Sequence, residues 1–90
     1  MKRFKLIRKK PVIFAKPLAV IINPAAGSGI NLKGMMEHRF GDLDIQAQFF
    51  ETRHYFHAYQ IANSLDYTCY SSIIVVGGDG TISEAINGML

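Results

Sequence analysis

The stretch SIIVVGGDGT, residues 72–81, decides the fold of this 90-residue chain. Four branched apolar residues follow Ser72 without interruption, and the run stops at a pair of glycines. Continuous apolarity, in place of alternation, is typical of a strand that is buried on both faces in a parallel sheet. A second run of this kind, Leu18–Ile22, stops at Asn23 and Pro24. We therefore predict two parallel strands, each followed by a tight turn.

Segments with helical spacing lie between Leu18–Ile22 and Ser72–Val76, and another follows Val76. Ile45–Phe50 alternates only in part, so we predict a third strand there, nearer an edge of the sheet. The resulting order, βαβαβα, predicts an α/β fold with a parallel sheet and flanking helices. The predicted apolar stripes are Leu32, Met35, Met36 and Phe40, ending at Gly41-Asp42; Ala58, Ile61, Ala62 and Leu65; and, from about Thr81, Ile82, Ala85, Ile86 and Met89.

Composition and charge divide the chain into two parts. The hydrophobic content of 49% excludes a disordered chain. The net charge of +3 is positive because residues 1–16 carry seven of the ten basic residues and no acidic one, whereas the remainder is slightly acidic. We predict a basic, poorly ordered arm over residues 1–17 and a nucleotide-binding unit over residues 18–90. The arm is interpreted as a solvated leader, with weak peripheral contact to anionic lipid headgroups as the alternative. Nucleic acid is not an expected partner, because no aromatic or glycine-rich pattern accompanies the charge.

The expected location is cytoplasmic. Lys16 and Pro17 interrupt the apolar run after the basic residues, which argues against a signal peptide. No run approaches the roughly 20 apolar residues of a membrane span. The single cysteine, Cys69, suits a reducing compartment. The last helical pattern runs to Leu90, so we expect the front part of a longer domain. Its exposed apolar surface could drive self-association as easily as aggregation.

Phosphate binding is the chemistry that such a fold favours. All strand-to-helix turns of a parallel sheet lie at one edge, where helix N-termini offer free N–H groups. The three turns are Asn23–Gly29, Glu51–His54 and Gly77–Thr81. Neither Gly-x-x-x-x-Gly-Lys-Ser/Thr nor Gly-x-Gly-x-x-Gly is present in the first turn.

The third turn carries the strongest signal. Gly77 and Gly78 can adopt dihedral angles closed to other residues, and because they lack side chains they leave backbone N–H groups exposed. Gly80 allows the same close approach. Asp79 places one carboxylate among those donors, where it is well placed to hold Mg²⁺ directly or through water, or to contact the ribose or substrate hydroxyls.

Several residues have a purely structural alternative. Thr81 and Glu84 fit a capping box, in which both side chains bond to N–H groups at the start of a helix. Thr52 fits either a cap of the helix that follows or a phosphate contact. His54 and His57 are spaced i, i+3, but no cysteine or carboxylate completes a ligand set, so no zinc site is predicted.

The first turn together with Gly77–Gly88 resembles the diacylglycerol kinase catalytic domain family, which includes diacylglycerol, sphingosine, ceramide and bacterial lipid kinases. The segment from Thr52 to His57-Ala58 resembles the middle nucleotide-contacting segment of that family, so the resemblance covers residues 18–90. NAD kinases and phosphofructokinases carry close versions of Gly-Gly-Asp-Gly-Thr on a similar fold. The Asn23-Pro24 turn and the continuation from Glu84 to Asn87-Gly88 favour the lipid kinases. The fold implied is the incomplete N-terminal part of a phosphofructokinase/NAD-kinase-like three-layer domain.

The activity that this resemblance implies is transfer of the γ-phosphoryl group of Mg-ATP to a lipid hydroxyl, such as that of diacylglycerol. The general base and the lipid site are expected beyond Leu90, so the chain alone is predicted to have negligible activity. The alternatives are an NAD-kinase-like or phosphofructokinase-like enzyme, or a non-catalytic nucleotide-binding or assembly module. The resemblance implies nucleotide contacts at Asn23, Pro24, Gly27, Thr52, Gly78, Asp79, Gly80, Thr81, Glu84 and, more weakly, Asn87, with Asp79 also at Mg²⁺.

Overall fold

The computed structural model describes residues 16–27 and 29–90. The predicted basic arm therefore lies outside the described residues except for Lys16 and Pro17, as does Ser28 of the first turn. The predicted βαβαβα order is confirmed. The elements are β1 (Leu18–Ile22), α1 (Leu32–Asp42), β2 (Ala47–Glu51), α2 (His57–Ser64), β3 (Ser72–Val76) and α3 (Asp79–Met89), with short 3-10 turns at Pro24–Gly27 and Tyr67–Cys69.

The three strands form one parallel sheet in the order β2-β1-β3. Ile22, the last residue of β1, lies opposite Glu51 on one side and Val76 on the other. All three strands thus end at the same level, and the turns that follow them leave the sheet side by side. The strand predicted within Ile45–Phe50 is β2, and the prediction that it lies nearer an edge of the sheet is confirmed.

The core is built around the central strand. Ala19–Ile22 of β1 is fully buried, as its continuous apolarity predicts. Ile21 packs against Ala58 and Ala62 of α2 and Ala85 of α3. Burial of a branched side chain of this size contributes about 1.5–3 kcal/mol, so β1 anchors the sheet whose edge carries the turns.

α2 and α3 pack closely, because small residues face each other where they meet. A Cβ atom on Gly88 would lie 2.5 Å from the carbonyl oxygen of Tyr59 and 2.9 Å from the Cβ of Ala62. The prediction for α2 is confirmed, since Ala58 and Ala62 are buried and Ile61 and Leu65 pack against the same core.

The stripe predicted for α3 is wrong at three of its four positions. The helix buries Ala85 and Gly88, whereas Ile82, Ile86 and Met89 are 38%, 51% and 38% exposed. The close approach to α2 requires a face of α3 that carries only small residues. The larger side chains therefore lie on the more exposed faces of the helix.

The stripe of α1 is also wrong at Met35, which is 58% exposed, while Leu32, Met36 and Phe40 are half-buried. Phe40 packs on Phe49 of β2, with ring centroids 6.2 Å apart, so α1 contacts the edge strand. Within residues 16–27 and 29–90, no helix has the length and apolar character that crossing a bilayer requires.

Candidate nucleotide-binding site

The third turn is tighter than its glycines suggest. α3 begins at Asp79, not at about Thr81, and Gly78 precedes it with φ −81°. Gly29 is the described glycine with positive φ, so Gly77 and Gly78 do not use the left-handed backbone that glycine permits. Glycine at position 77 has a steric reason instead, because a Cβ atom there would lie 2.6 Å from the Cβ of Thr81. The turn therefore folds back directly onto its own helix.

Open space surrounds the other two glycines of this turn. A Cβ atom on Gly78 or on Gly80 would meet nothing within 4 Å. The first N–H groups of an α-helix have no partner within the helix, and the N-terminus carries partial positive charge. An anion can therefore approach the backbone of α3 at Gly80, with the exposed carboxylate of Asp79 beside it.

Asn23 ties the first turn to the third. Its backbone N–H donates to the carbonyl oxygen of Val76 at 2.9 Å, which continues the β1–β3 ladder. Its side-chain oxygen accepts from the N–H of Ala25 at 3.0 Å and shapes the 3-10 turn. Its Nδ2 donates to the hydroxyl of Thr81 at 3.3 Å. One amide side chain thus fixes both turns relative to each other.

In the structure the second turn extends from Thr52 to Phe56, between β2 and α2. The N–H of Thr52 donates to the carbonyl oxygen of Ile22 at 2.9 Å. The interpretation of Thr52 as a helix cap is wrong, because the residue before α2 is Phe56, which has φ +70° and no side-chain cap. Four residues separate the end of β2 from Phe56, so the hydroxyl of Thr52 stays at the sheet edge.

Glu84 bonds across to the second turn. Its Oε2 accepts from the N–H of Phe56 at 3.1 Å, and this bond supports the left-handed backbone at that residue. The capping-box interpretation is wrong, because α3 begins two residues before Thr81 and places Thr81 inside its first turn. Glu84 and Asn23 together connect all three turns.

Substitution of Glu84 by leucine is expected to lower the free energy of unfolding by about 1 kcal/mol, since it removes a charged acceptor from a partly solvated N–H. Glu84→Gln keeps a carbonyl acceptor and is expected to lose less than half as much. Urea unfolding followed by circular dichroism measures both. Equal losses in the two variants would mean that the hydrogen bond to Phe56 does not carry the effect.

The three turns enclose a depression of about 540 Å³. Six of the ten predicted site residues line it, from all three turns: Asn23, Pro24, Thr52, Gly80, Thr81 and Glu84. Asn87 lines a neighbouring hollow of about 400 Å³ that shares Gly80 and Glu84 with the first. Gly78 and Asp79 lie in the third turn without lining the depression, and Gly27 packs near Leu32 at the end of its 3-10 turn.

Sequence reasoning missed four residues that line this depression: Ala25, Arg53, His54 and Tyr55. Arg53 matters most, because it is an exposed basic residue of the lining, and a guanidinium group binds phosphate oxygens well. The available signal was its position, directly after Thr52 in a turn at the carboxyl edge of the sheet.

A magnesium ion would find one protein carboxylate in the third turn. In the part of the chain that the structure describes, no three His, Cys, Asp or Glu side chains lie close enough to hold a metal ion. Mg²⁺ is commonly held by one or two carboxylates together with substrate phosphates and water. The exposed Asp79, next to the open backbone of Gly78 and Gly80, fits that mode and not a closed protein cage.

The family model "Diacylglycerol kinase catalytic domain" matches residues 17–90 of this chain. Sphingosine kinase 1 of Arabidopsis thaliana is 37% identical over 78 residues, which cover 83% of the chain and 16% of that kinase. Sphingoid long-chain bases kinase 1 of the same plant is 36% identical over 80 residues, which cover 84% of the chain and 10% of that kinase. Sphingoid long chain base kinase 4 of Schizosaccharomyces pombe is 38% identical over 74 residues, which cover 78% of the chain and 16% of that kinase. The chain thus spans between 10% and 16% of the length of these curated relatives.

Proposed function

The chain belongs to the diacylglycerol kinase catalytic domain family, and we propose that it forms the ATP-binding side of a lipid kinase that uses Mg-ATP. The observation that carries this proposal is the convergence of the three strand-to-helix turns on one depression. Asn23, Thr52 and Gly80 come from different turns and line the same space. Phosphoryl transfer depends mainly on positioning the reactants and neutralising charge on the moving group, so a rigid, shared cradle is what this chemistry requires.

Each part of the depression has a distinct task in this proposal. The free N–H groups at the start of α3 and the guanidinium of Arg53 bind phosphate oxygens. The amide of Asn23, already bonded to Thr81, keeps the first turn against α3. Asp79, which lies in the third turn beside the depression, holds Mg²⁺ directly or through water, and the ion supplies charge neutralisation on the phosphates.

The acceptor that we propose is the hydroxyl of a sphingoid long-chain base. The names of the relatives support it, since they are sphingosine or sphingoid base kinases. A chimera in which this chain replaces the matched segment of Arabidopsis thaliana sphingosine kinase 1 is expected to phosphorylate sphingosine from radiolabelled ATP. Because the rest of the chimera supplies the lipid site, a folded chimera that transferred no phosphate to sphingosine would contradict the role of this chain as the ATP-binding side.

Asp79→Ala tests the magnesium role through ATP binding. We expect the variant to lose most of the increase in ATP affinity that Mg²⁺ gives the wild-type chain, because it removes the carboxylate that faces the ion. Without Mg²⁺ the variant should bind ATP at least as well as wild type, since a negative side chain beside the phosphates is gone. Isothermal titration with and without Mg²⁺ measures both. An unchanged magnesium effect in Asp79→Ala would overturn the assignment.

A further inference from the structure

The turn that carries Arg53 is held by a histidine side chain. The backbone N–H of Arg53 donates to Nδ1 of His57 at 2.8 Å. His57 is the first residue of α2, so its ring reaches back over the turn that precedes its own helix. At the other end of the turn, the N–H of Phe56 donates to Glu84. The two bonds fix the backbone between β2 and α2 from both ends.

We infer that His57 is a positioning residue for phosphate binding, which acts through Arg53. The bond to Nδ1 sets the orientation of the Arg53 backbone and thereby the direction in which its guanidinium enters the depression. This inference rests on the proposed function, because it gives that guanidinium the phosphates as its ligand. His57 itself does not line the depression, whereas Arg53 and His54 do.

The hydrogen bonds assign the protons on the two neighbouring imidazole rings. Nδ1 of His57 accepts from an N–H, so it carries no proton, and the neutral ring carries its proton on Nε2. Nδ1 of His54 lies 2.9 Å from the carbonyl oxygen of Tyr55, which can only accept, so that nitrogen carries a proton. The rings are stacked with centroids 4.3 Å apart and planes at 14°. The stack keeps the acceptor of His57 turned towards Arg53.

The proton positions can be read in the unmodified chain. A long-range ¹H–¹⁵N correlation spectrum of the imidazole groups distinguishes a protonated from an unprotonated Nδ1. At neutral pH we expect an unprotonated Nδ1 at His57 and a protonated Nδ1 at His54. A proton on Nδ1 of His57 would overturn the inference, because that nitrogen could no longer accept from Arg53. This measurement depends neither on a variant nor on ATP.

Substitutions at His57 then separate the acceptor from the ring. Asparagine places its side-chain oxygen near the position of Nδ1, glutamine places its amide further out near Nε2, and leucine has no acceptor. For the full chain and Mg-ATP, we expect His57→Asn to stay within about twofold of wild type and His57→Leu to bind about fivefold more weakly. His57→Gln is expected to resemble the leucine variant. Equal affinities in His57→Asn and His57→Leu would overturn the inference.

A double-mutant cycle with Arg53→Gln tests whether His57 acts through Arg53. Each single change is expected to weaken Mg-ATP binding, and His57→Leu should cost little more once Arg53 is replaced. Additive losses would overturn the positioning role, because they would indicate a general effect of His57 on the structure. Failure of the wild-type chain to bind Mg-ATP would instead overturn the proposed function. If Arg53→Gln left Mg-ATP binding unchanged, the role of Arg53 in phosphate binding would be overturned. This inference would fall with it, while the proposed function would stand.

Discussion

Alanine at position 88 is expected to lower the free energy of unfolding by about 3 kcal/mol, the upper end of the usual cost of overpacking. The added methyl group would lie 2.5 Å from the carbonyl oxygen of Tyr59 and 2.9 Å from the Cβ of Ala62. These are a backbone atom and the first carbon of a side chain, so neither moves aside by changing a rotamer. α2 and α3 would have to separate, which would loosen their shared contact with Ile21.

Gly41→Ala is the matched control, because Gly41 also lies in a helix but a Cβ atom there meets nothing within 4 Å. Alanine is the better helix former by roughly 0.5–1 kcal/mol, so this control should leave stability unchanged or slightly raise it. Urea unfolding monitored by circular dichroism compares the two variants directly. Similar unfolding midpoints for Gly88→Ala and Gly41→Ala would show that α2 and α3 do not pack as closely as described.

Gly88 also shows where prediction from sequence stops. The apolar runs of β1 and β3 predicted their strands, since burial on both faces leaves a pattern within each segment. The buried face of α3 could not be read from α3 alone, because it depends on how closely the backbone of α2 approaches. Apolar periodicity indicated Ile82, Ala85, Ile86 and Met89. The contact uses Ala85 of these four together with Gly88, which the pattern did not indicate.

The same limit applies to the candidate site. The three turns were predicted to gather at one edge, because that follows from parallel strands alone, and the equal strand ends confirm it. The bonds between the turns were not predicted. Glu84 was interpreted within its own helix, yet it bonds to Phe56, 28 residues away along the chain. Arg53 was missed because a single basic residue in a turn has no pattern until the depression around it is known.

Gly80→Leu is expected to weaken binding of Mg-ATP by at least about tenfold. Gly80 lines both hollows, and its missing side chain leaves open space beside the free N–H groups of α3. A leucine side chain would fill that space and keep the phosphates away from the backbone. Its effect on stability should have the opposite sign, because leucine favours a helix over glycine by nearly 1 kcal/mol.

Opposite effects on binding and stability make this substitution a sharp test of the phosphate site. A variant that bound poorly because it was partly unfolded would lose both affinity for Mg-ATP and stability. Gly80→Leu, in contrast, should lose affinity and keep or gain stability. Gly41→Leu, the same change at an open glycine of α1 away from the depression, should leave Mg-ATP affinity unchanged. Isothermal titration of both variants, with urea unfolding of each, gives the comparison. Wild-type affinity in Gly80→Leu would place the phosphates elsewhere, because a leucine at the start of α3 and a phosphate group cannot share the same space.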